Sequence, residues 1–239
     1  MNKFNQEKLF FIIAPDRSGT TMLQEIMNTF SNFCNYSESR IAGPDSPSCW
    51  EFVQKHNDFS YLENFIKDNW TSEFFVEKSP PSINCIPQIS NRYPNAKFIL
   101  LKRDPRKIIL SQLNLHIGIS DIGTRQGDMG NILLKENSII LKRELIMAKR
   151  LLKMISNQLK YKNSLKNRVE LRYEDIVGNL DSQIDLLEKN FAIKCDRKKA
   201  HKQIKKPSSS SAFRYGLTIL TNKGALNITR LACKLWGYQ

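Results

Sequence analysis

The stretch that most constrains this chain is Leu9–Met27, which reads LFFIIAPDRSGTTMLQEIM. An apolar run of strand length ends at Pro15, a short polar turn follows, and a helical pattern starts near Gly19. We therefore predict a buried strand, a tight loop and a helix that begins in the loop. Because the first N–H groups of a helix lack intrahelical acceptors and the helix dipole is positive there, this loop is predicted to bind an anion.

The side chains of the loop suit a phosphate or a sulfate group. Gly19 permits close backbone approach, Arg17 offers a forked cationic contact, and Ser18, Thr20 and Thr21 carry hydroxyl donors. The phosphate loop of nucleotide triphosphatases reads GxxxxGK[ST], whereas here a threonine follows the glycine and the cation comes before it. A buried strand followed by a capped helix without any ligand is the alternative interpretation.

Length, charge and cysteine use predict one cytoplasmic α/β domain over residues 1–239. A formal net charge of +14, from 37 basic and 23 acidic residues, favours anionic partners such as nucleotides, sulfated or phosphorylated substrates, nucleic acid or membrane surfaces. The polar N-terminus has no signal-peptide shape, and no transmembrane segment is expected. Five scattered cysteines without a CxxC pair predict reduced thiols and no zinc site.

Charged residues end two of the three further segments predicted to be strands, which are Phe74–Lys78, Lys97–Lys102 and Val169–Tyr173. Ligands bind at the carboxyl ends of parallel strands, so Lys78 is predicted to lie at the reactive edge of the sheet. Pro80 disfavours helix at the preceding residue, which ends that strand near Lys78. Arg103 follows the next strand, Pro105 suits a first helical turn, and Ser111 lies two turns further on. Arg103 and Ser111 are therefore expected to reach one anion.

The remaining segments alternate between predicted helices and loops. Polar, irregular structure is predicted over Ser31–Cys49, and a glycine-bearing loop that covers the acceptor over Ile117–Asn131. The serine run within Pro207–Ser211 is either a plain linker or a loop that closes over a phosphate. The predicted helices are Thr20–Thr29, Phe59–Asn69, Ile83–Tyr93, Ile132–Leu165, Leu180–Asn190 and Ala225–Trp236.

Several motifs, taken in order, resemble the sulfotransferase superfamily, most closely its bacterial and tyrosylprotein branches. The motifs are RSGTT, Glu38, EKSPPS, PNAKFILLKRDPRKIILS and RYEDIVGNLDSQIDLLEKNFAI. The resemblance covers most of Leu9–Ile193 and weakens from about residue 194. It implies a P-loop-like central parallel sheet flanked by helices. It also implies metal-independent transfer of a sulfuryl group from 3′-phosphoadenosine 5′-phosphosulfate (PAPS) to a hydroxyl of a saccharide, small alcohol or tyrosine, which leaves 3′-phosphoadenosine 5′-phosphate (PAP).

The resemblance also assigns the residues that bind the donor. Arg103 and Ser111, at the Arg-x₇-Ser spacing of the family, would hold the 3′-phosphate. Tyr173 and one of Ser208–Ser211, with Ser209 as the candidate, would make further contacts. The loop at the other corner would hold the 5′-phosphosulfate through Arg17, Ser18, Gly19, Thr20 and Thr21. Two strand-to-helix corners are thus expected to hold opposite ends of one nucleotide.

The catalytic roles implied by the resemblance fall on three residues. Glu38 stands where the tyrosylprotein branch keeps its catalytic glutamate, and it would accept the proton of the acceptor hydroxyl. Lys78 and Arg17 would neutralise the charge that develops on the leaving phosphate. One departure is Asp16, which separates Pro15 from the arginine where the family commonly has proline, and we expect its carboxylate to point away.

Two other functions are compatible with parts of the sequence. A P-loop nucleotide kinase or hydrolase would require the missing lysine and an acidic magnesium site. A basic nucleic-acid-binding protein would fit the net charge and would show binding that weakens steeply with salt. The sequence concentrates its anion-binding residues at strand ends, which favours a nucleotide donor and a hydroxyl-bearing acceptor over nucleic acid.

Overall fold

A computed structural model describes residues 5–37, 48–113, 129–204 and 222–239, with the backbone alone for 35–37 and 129–141. The strands are β1 Leu9–Ile13, β2 Phe33–Ser37, β3 Phe74–Lys78, β4 Lys97–Lys102 and β5 Asn167–Arg172. The helices are α1 Thr20–Met27, α2 Cys49–His56, α3 Ser60–Asn69, α4 Ile86–Arg92, α5 over residues 105–113, α6 Met129–Tyr161, α7 Tyr173–Gly178, α8 Leu180–Phe191, α9 Arg197–Gln203 and α10 Lys223–Trp236. Short 3₁₀ turns cover Gln6–Lys8, Pro80–Asn84 and Lys162–Ser164.

The strands form one parallel sheet in the order β2-β3-β1-β4-β5. This arrangement confirms the predicted α/β class with a central parallel sheet flanked by helices. From β1 the chain runs outward to β2 on one side and later returns to β4 on the other side. Because the strand order reverses around β1, the carboxyl end of β1 is the position at which parallel α/β sheets form a ligand crevice.

The two faces of the sheet bury different helices. On one face, Phe10 and Ile12 of β1 share an apolar cluster with Leu23 and Ile26 of α1. On the other face, Phe11 is surrounded by aromatic rings at centroid distances of 5.4 to 5.8 Å, from Trp50, Tyr93 and Phe98. Alternate residues of a strand point to opposite faces of the sheet. The side chains of β3 therefore also face α1 and α2 in turn.

The chain forms two compact units. The first is Met1–Lys102 with Asn157–Lys206, and it holds the whole sheet. The second is Arg103–Ser156 with Pro207–Gln239. The single domain over residues 1–239 stays a prediction. None of the described helices combines the length and the apolar character required to cross a lipid bilayer.

Buried polar contacts join helices α6 and α10 within the second unit. Glu144 of α6 is buried and accepts a hydrogen bond from the backbone N–H of Asn222 at 2.7 Å. The side chain of Asn222 caps α10 by accepting from the N–H of Ala225 at 3.0 Å. One asparagine therefore both starts the last helix and attaches it to α6.

The structure corrects two details of the predicted elements. The prediction of irregular structure over Ser31–Cys49 is wrong for Phe33–Ser37, which is strand β2. This strand lies at an edge of the sheet and pairs with β3, so its sequence need not be continuously apolar. Tyr173, predicted to end a strand, instead begins α7, because Arg172 is the extended N-cap residue. Most of the predicted acceptor loop and the serine run lie outside the described residues.

Candidate active site at the carboxyl edge of the sheet

The loop between β1 and α1 is a tight turn with two left-handed residues. Arg17 has a φ of +66° and Gly19 a φ of +94°, and the N–H of Ser18 donates to the carbonyl oxygen of Pro15 at 3.3 Å. Gly19 is the N-cap of α1 and supplies no side-chain acceptor. The first N–H groups of α1 are therefore placed for an acceptor that comes from outside the helix, such as an anion.

Tyr173 packs directly on this loop. A Cβ atom at Gly19 would lie 2.3 Å from Cδ2 and 2.6 Å from Cε2 of the Tyr173 ring, closer than any side chain tolerates. The tyrosine is placed there because it begins α7 immediately after β5. The structure thus brings together two of the predicted donor-binding residues, the glycine of the loop and the tyrosine after the last strand.

The hydroxyl groups of the loop differ in exposure. Ser18 is 0% exposed, and among the described residues its Oγ has no hydrogen-bond partner. Thr20 is buried as well, whereas Thr21 and Arg17 are exposed. A buried hydroxyl without a partner is unfavourable unless a ligand or water satisfies it. The loop residues therefore fit an anionic group of the size of a phosphate or a sulfate.

Lys78 is the last residue of β3, as the two following prolines predict, and it is 5% exposed. Its backbone is the register partner of Ser37, the last residue of the neighbouring strand β2. Glu38, the predicted base, is the next residue in the chain and lies outside the described residues. Ser209 lies outside them too.

Two buried polar residues near these strand ends were not found by sequence reasoning. Glu77 of β3 is fully buried, and it accepts hydrogen bonds from Nε1 of Trp50 at 2.9 Å and from Oγ of Ser79. Gln158 of α6 is also fully buried, and its Nε2 donates to the carbonyl oxygen of Ile13 at 3.4 Å. The motif EKSPPS contains Glu77, but no pattern in the sequence marks that carboxylate as buried.

Arg103 and Ser111, the predicted 3′-phosphate residues, belong to the second unit. Both are half-buried, with Ser111 on α5 and Arg103 just before that helix. Asp104 begins α5, because its Oδ1 accepts from the N–H of Arg106 at 2.9 Å while Pro105 takes the first helical position.

Arg106 forms a two-pronged ion pair with Asp104. Its Nε lies 2.9 Å from Oδ1 and its Nη2 lies 2.8 Å from Oδ2 of the carboxylate. This hydrogen bonding raises the pKa of the Arg106 guanidinium. The turn between β4 and α5 is therefore fixed by Asp104 and Arg106, next to the arginine predicted to contact the nucleotide.

No metal centre is evident in the ranges that the structure describes. Within them, no three histidine, cysteine or acidic side chains are grouped as ligands for a metal ion. The predicted donor-binding residues are instead a cation, hydroxyl groups and backbone N–H groups, which bind oxyanions directly.

Comparison with known proteins identifies a family. The sequence model of the sulfotransferase family matches residues 38–196, more than half of the chain, and the match begins after the RSGTT loop. No curated protein sequence matches the chain significantly.

The solved structures that share the fold include those of two sulfotransferases. The crystal structure of a sulfotransferase from Alicyclobacillus acidocaldarius has 14% sequence identity and a TM-score of 0.51, and the match covers 78% of this chain and 81% of that chain. Mouse sulfotransferase SULT7A1 complexed with PAP has 14% identity and a TM-score of 0.61, with 98% and 89% covered. At this identity the two likenesses establish the fold alone.

Proposed function

Because the chain belongs to the sulfotransferase family, we propose that it transfers a sulfuryl group from PAPS to an acceptor hydroxyl and releases PAP. The observation that carries the proposal is the β1–α1 loop, where a buried Ser18 hydroxyl without a partner among the described residues lies between left-handed Arg17 and Gly19. The mouse sulfotransferase that shares the fold was solved with PAP, which supports a donor of this type. The acceptor class is a saccharide, a small alcohol or a tyrosine.

The loop is proposed to bind the 5′ end of the donor. The N–H groups at the start of α1 and the hydroxyls of Ser18, Thr20 and Thr21 donate to the phosphosulfate oxygens. Arg17, an exposed residue, adds a forked cationic contact. The ring of Tyr173, which contacts Gly19, holds the loop in this conformation.

The 3′-phosphate is proposed to bind Arg103 and Ser111. A guanidinium and a hydroxyl provide the charge-assisted hydrogen bonds that distinguish a 3′-phosphorylated nucleotide from one with a free 3′-hydroxyl. Asp104 supports this role by starting α5, the helix that carries Ser111. Ser209 is proposed as a further donor contact.

Catalysis is proposed to depend on Glu38 and Lys78. When bound, PAPS supplies the sulfuryl group and carries the bisphosphate that leaves. Glu38 takes the proton from the acceptor oxygen, a role that contributes a factor of about 10² to 10⁴ in comparable enzymes. Lys78, together with Arg17, donates to the oxygen on which negative charge develops. The reaction is proposed to need no metal ion and to take place in the cytoplasm, and the five free cysteines support that compartment.

The proposal is tested by incubating the protein with sulfur-labelled PAPS and a panel of saccharide, alcohol and tyrosine acceptors in the presence of EDTA. We expect labelled product and stoichiometric PAP. Glu38→Gln should lower kcat by a factor of about 10² to 10⁴ and leave the Kd of PAP unchanged. A collapse of PAP binding in Glu38→Gln would refute the role of base. Magnesium-dependent ATP turnover without sulfuryl transfer would instead favour a nucleotide kinase or hydrolase.

A further inference from the structure

A buried hydrogen-bonded group lies beside the proposed catalytic lysine and takes no part in the proposed sulfuryl transfer. Glu77 is fully buried, and one of its oxygens, Oε1, accepts from both Nε1 of Trp50 and Oγ of Ser79. Glu77 and Ser79 are the residues immediately before and after Lys78. The group therefore fixes the chain on both sides of the lysine.

Trp50, the hydrogen-bond partner of Glu77 on α2, is itself constrained by hydrogen bonds and by ring packing. Ser48 caps α2 by accepting from the backbone N–H of Trp50 at 3.3 Å, and the thiol of Cys85 donates to the carbonyl oxygen of Trp50 at 3.5 Å. The indole ring packs edge-on against Phe11 at 5.8 Å and Phe59 at 6.4 Å. Because the indole is so constrained, its N–H is a rigid anchor for Glu77.

The alternation of β3 determines what this anchor does to Lys78. Glu77 is the register partner of Phe11 and lies on the α2 face of the sheet, where Trp50 reaches it. Lys78 is therefore on the opposite face, which it shares with Val76 and helix α1. The phosphate-binding end of α1 lies on that side, so holding residues 77 and 79 toward α2 directs the lysine toward the proposed donor.

We propose that Glu77 is a positioning residue, which binds Trp50 and Ser79 so that Lys78 is held on the α1 face of the sheet. The inference rests on the proposed function, since it gives Lys78 its place in sulfuryl transfer. The proposal requires more than the EKSPPS motif: Oε1 of Glu77 must accept from both Trp50 and Ser79 for Lys78 to be held in place.

Three substitutions test the hydrogen bonds of Glu77. Ser79→Ala and Trp50→Phe each remove one donor and keep the backbone or the aromatic packing. Glu77→Gln replaces the carboxyl group with an amide and retains a carbonyl oxygen, which can accept from both donors because both bind the same oxygen of Glu77. Matched controls are Ser90→Ala and Trp70→Phe, whose side chains donate to the carbonyl oxygens of Pro87 and Ser72 instead.

Kinetics test whether the group acts through Lys78. A misplacement of about 1 Å lowers rates by about a hundredfold, so we expect Ser79→Ala and Trp50→Phe to lower kcat by about ten- to a hundredfold. The Kd of PAP should rise in the same two variants and stay unchanged in the matched controls, because PAP carries in full the negative charge that Lys78 is proposed to bind. In a Lys78→Ala background, Ser79→Ala should cause no further loss, and Glu77→Gln should retain most of the wild-type kcat. Additive losses in that background would overturn the proposal.

A second measurement does not depend on activity. The rate at which an amine-acetylating reagent modifies Lys78 in the full-length protein is measured by mass spectrometry of the peptide that contains it. Lys78 is 5% exposed, so modification should be slow in the wild type, in Glu77→Gln and in both controls. It should be at least about tenfold faster in Ser79→Ala and Trp50→Phe, because a released side chain samples solvent-exposed rotamers.

The two measurements distinguish the two proposals. If modification of Lys78 accelerates as expected but no acceptor is sulfated, the sulfuryl-transfer function fails while the positioning of Lys78 by Glu77 stands. If sulfuryl transfer is observed but modification of Lys78 is equally slow in Ser79→Ala and Trp50→Phe, the positioning proposal is wrong and the function stands.

Discussion

At residue 19, the backbone and a distant side chain together require glycine. The φ of +94° is a left-handed conformation that is costly for other residues, and the Tyr173 ring occupies the space of a Cβ atom. We predict that Gly19→Ala lowers the free energy of unfolding by about 1–3 kcal/mol and abolishes PAP binding, as measured by chemical denaturation and calorimetry. Gly178→Ala is the control, since a Cβ there meets nothing within 4 Å. Equal effects of the two substitutions would contradict the role of Tyr173.

The sequence predicts some individual residues of the site and not others. Gly19 and Arg17 are recognisable because the strand, the turn and the helix that define their roles are contiguous. Glu77 is not, since its burial depends on α2 packing against β3 through Trp50, a contact between segments that are distant in the chain. The contact of Tyr173 with Gly19 likewise appears only once β5 takes its place in the sheet.

Among the helices, α5 depends on its first turn. Asp104 caps this helix, and its removal should cost about 0.5–2 kcal/mol in the free energy of unfolding. We predict that Asp104→Ala also weakens PAP binding, because the helix that carries Ser111 loses its fixed start. Asp104→Asn keeps an oxygen that can accept from the N–H of Arg106, so it should retain most of the PAP affinity in calorimetry. Loss of affinity in both variants would show that the charge of Asp104, and not the cap, is what matters.

A carboxylate of β5 lies between a lysine of β4 and a lysine of the 3₁₀ turn that precedes β5. Glu170 lies 2.6 Å from Nζ of Lys102 and 2.7 Å from Nζ of Lys162. Burial raises the pKa of Glu170, but the hydrogen bonds from both lysines outweigh that effect and hold the pKa below its ordinary value of 4.5. The folded state therefore gains stability from the ionised carboxylate above that value and loses it as the pH falls through the lowered pKa.

This linkage predicts a pH-dependent effect of Glu170→Gln. At pH 7 the substitution should lower the free energy of unfolding by about 1 kcal/mol, because the ion pairs are partly exposed and screened. The difference from wild type should shrink as the pH falls below 4.5, where wild-type Glu170 itself becomes protonated. Urea denaturation at a series of pH values measures this difference in the free energy of unfolding. A difference that is constant across the series would contradict a stabilising role of ionised Glu170.

Strands and helices were predictable where neighbouring residues in the sequence determine them. Strands β1, β3 and β4 were recognised from their apolar runs, because burial on both faces of a parallel sheet leaves an apolar sequence. Strand β5 at the other edge was recognised from its alternation, in which Val169 and Leu171 are buried. Strand β2 was not, since FCNYS has no continuous apolar run; its Phe33 is half-buried and stacks on Phe74 at a centroid distance of 4.8 Å. The continuous helical prediction over Ile83–Tyr93 also missed the 3₁₀ turn Pro80–Asn84 that precedes α4. Pro87 has no N–H to bond to the carbonyl oxygen of Ile83, so α4 starts anew at Ile86 with this proline in its first turn.

For the whole molecule, the net charge of +14 predicts a weak general attraction for polyanions. Binding of duplex DNA should fall by about 10³-fold or more between 50 and 200 mM salt if several phosphates are contacted. The Kd of PAP should rise far less over the same range, because a single small ligand contacts buried and backbone donors. Fluorescence anisotropy measures the binding of DNA and calorimetry measures the binding of PAP, both at the same salt concentrations. Sequence-specific DNA binding that survives 200 mM salt would favour the nucleic-acid-binding alternative.

We propose that the Arg17 loop holds the 5′ end of one nucleotide and that Arg103 and Ser111 hold its 3′-phosphate. Calorimetry with PAP and with adenosine 5′-monophosphate, which lacks the 3′-phosphate, tests it most directly, with Arg92→Ala as a control for loss of an arginine. Wild type and the control should bind PAP about ten- to a hundredfold more tightly than the monophosphate, since charged hydrogen bonds contribute about 1.5–3 kcal/mol. Arg103→Ala should abolish that preference and leave monophosphate binding intact, whereas Arg17→Ala should weaken both ligands. A wild type that binds the two nucleotides equally, or an Arg103→Ala variant that keeps the preference, would contradict the account.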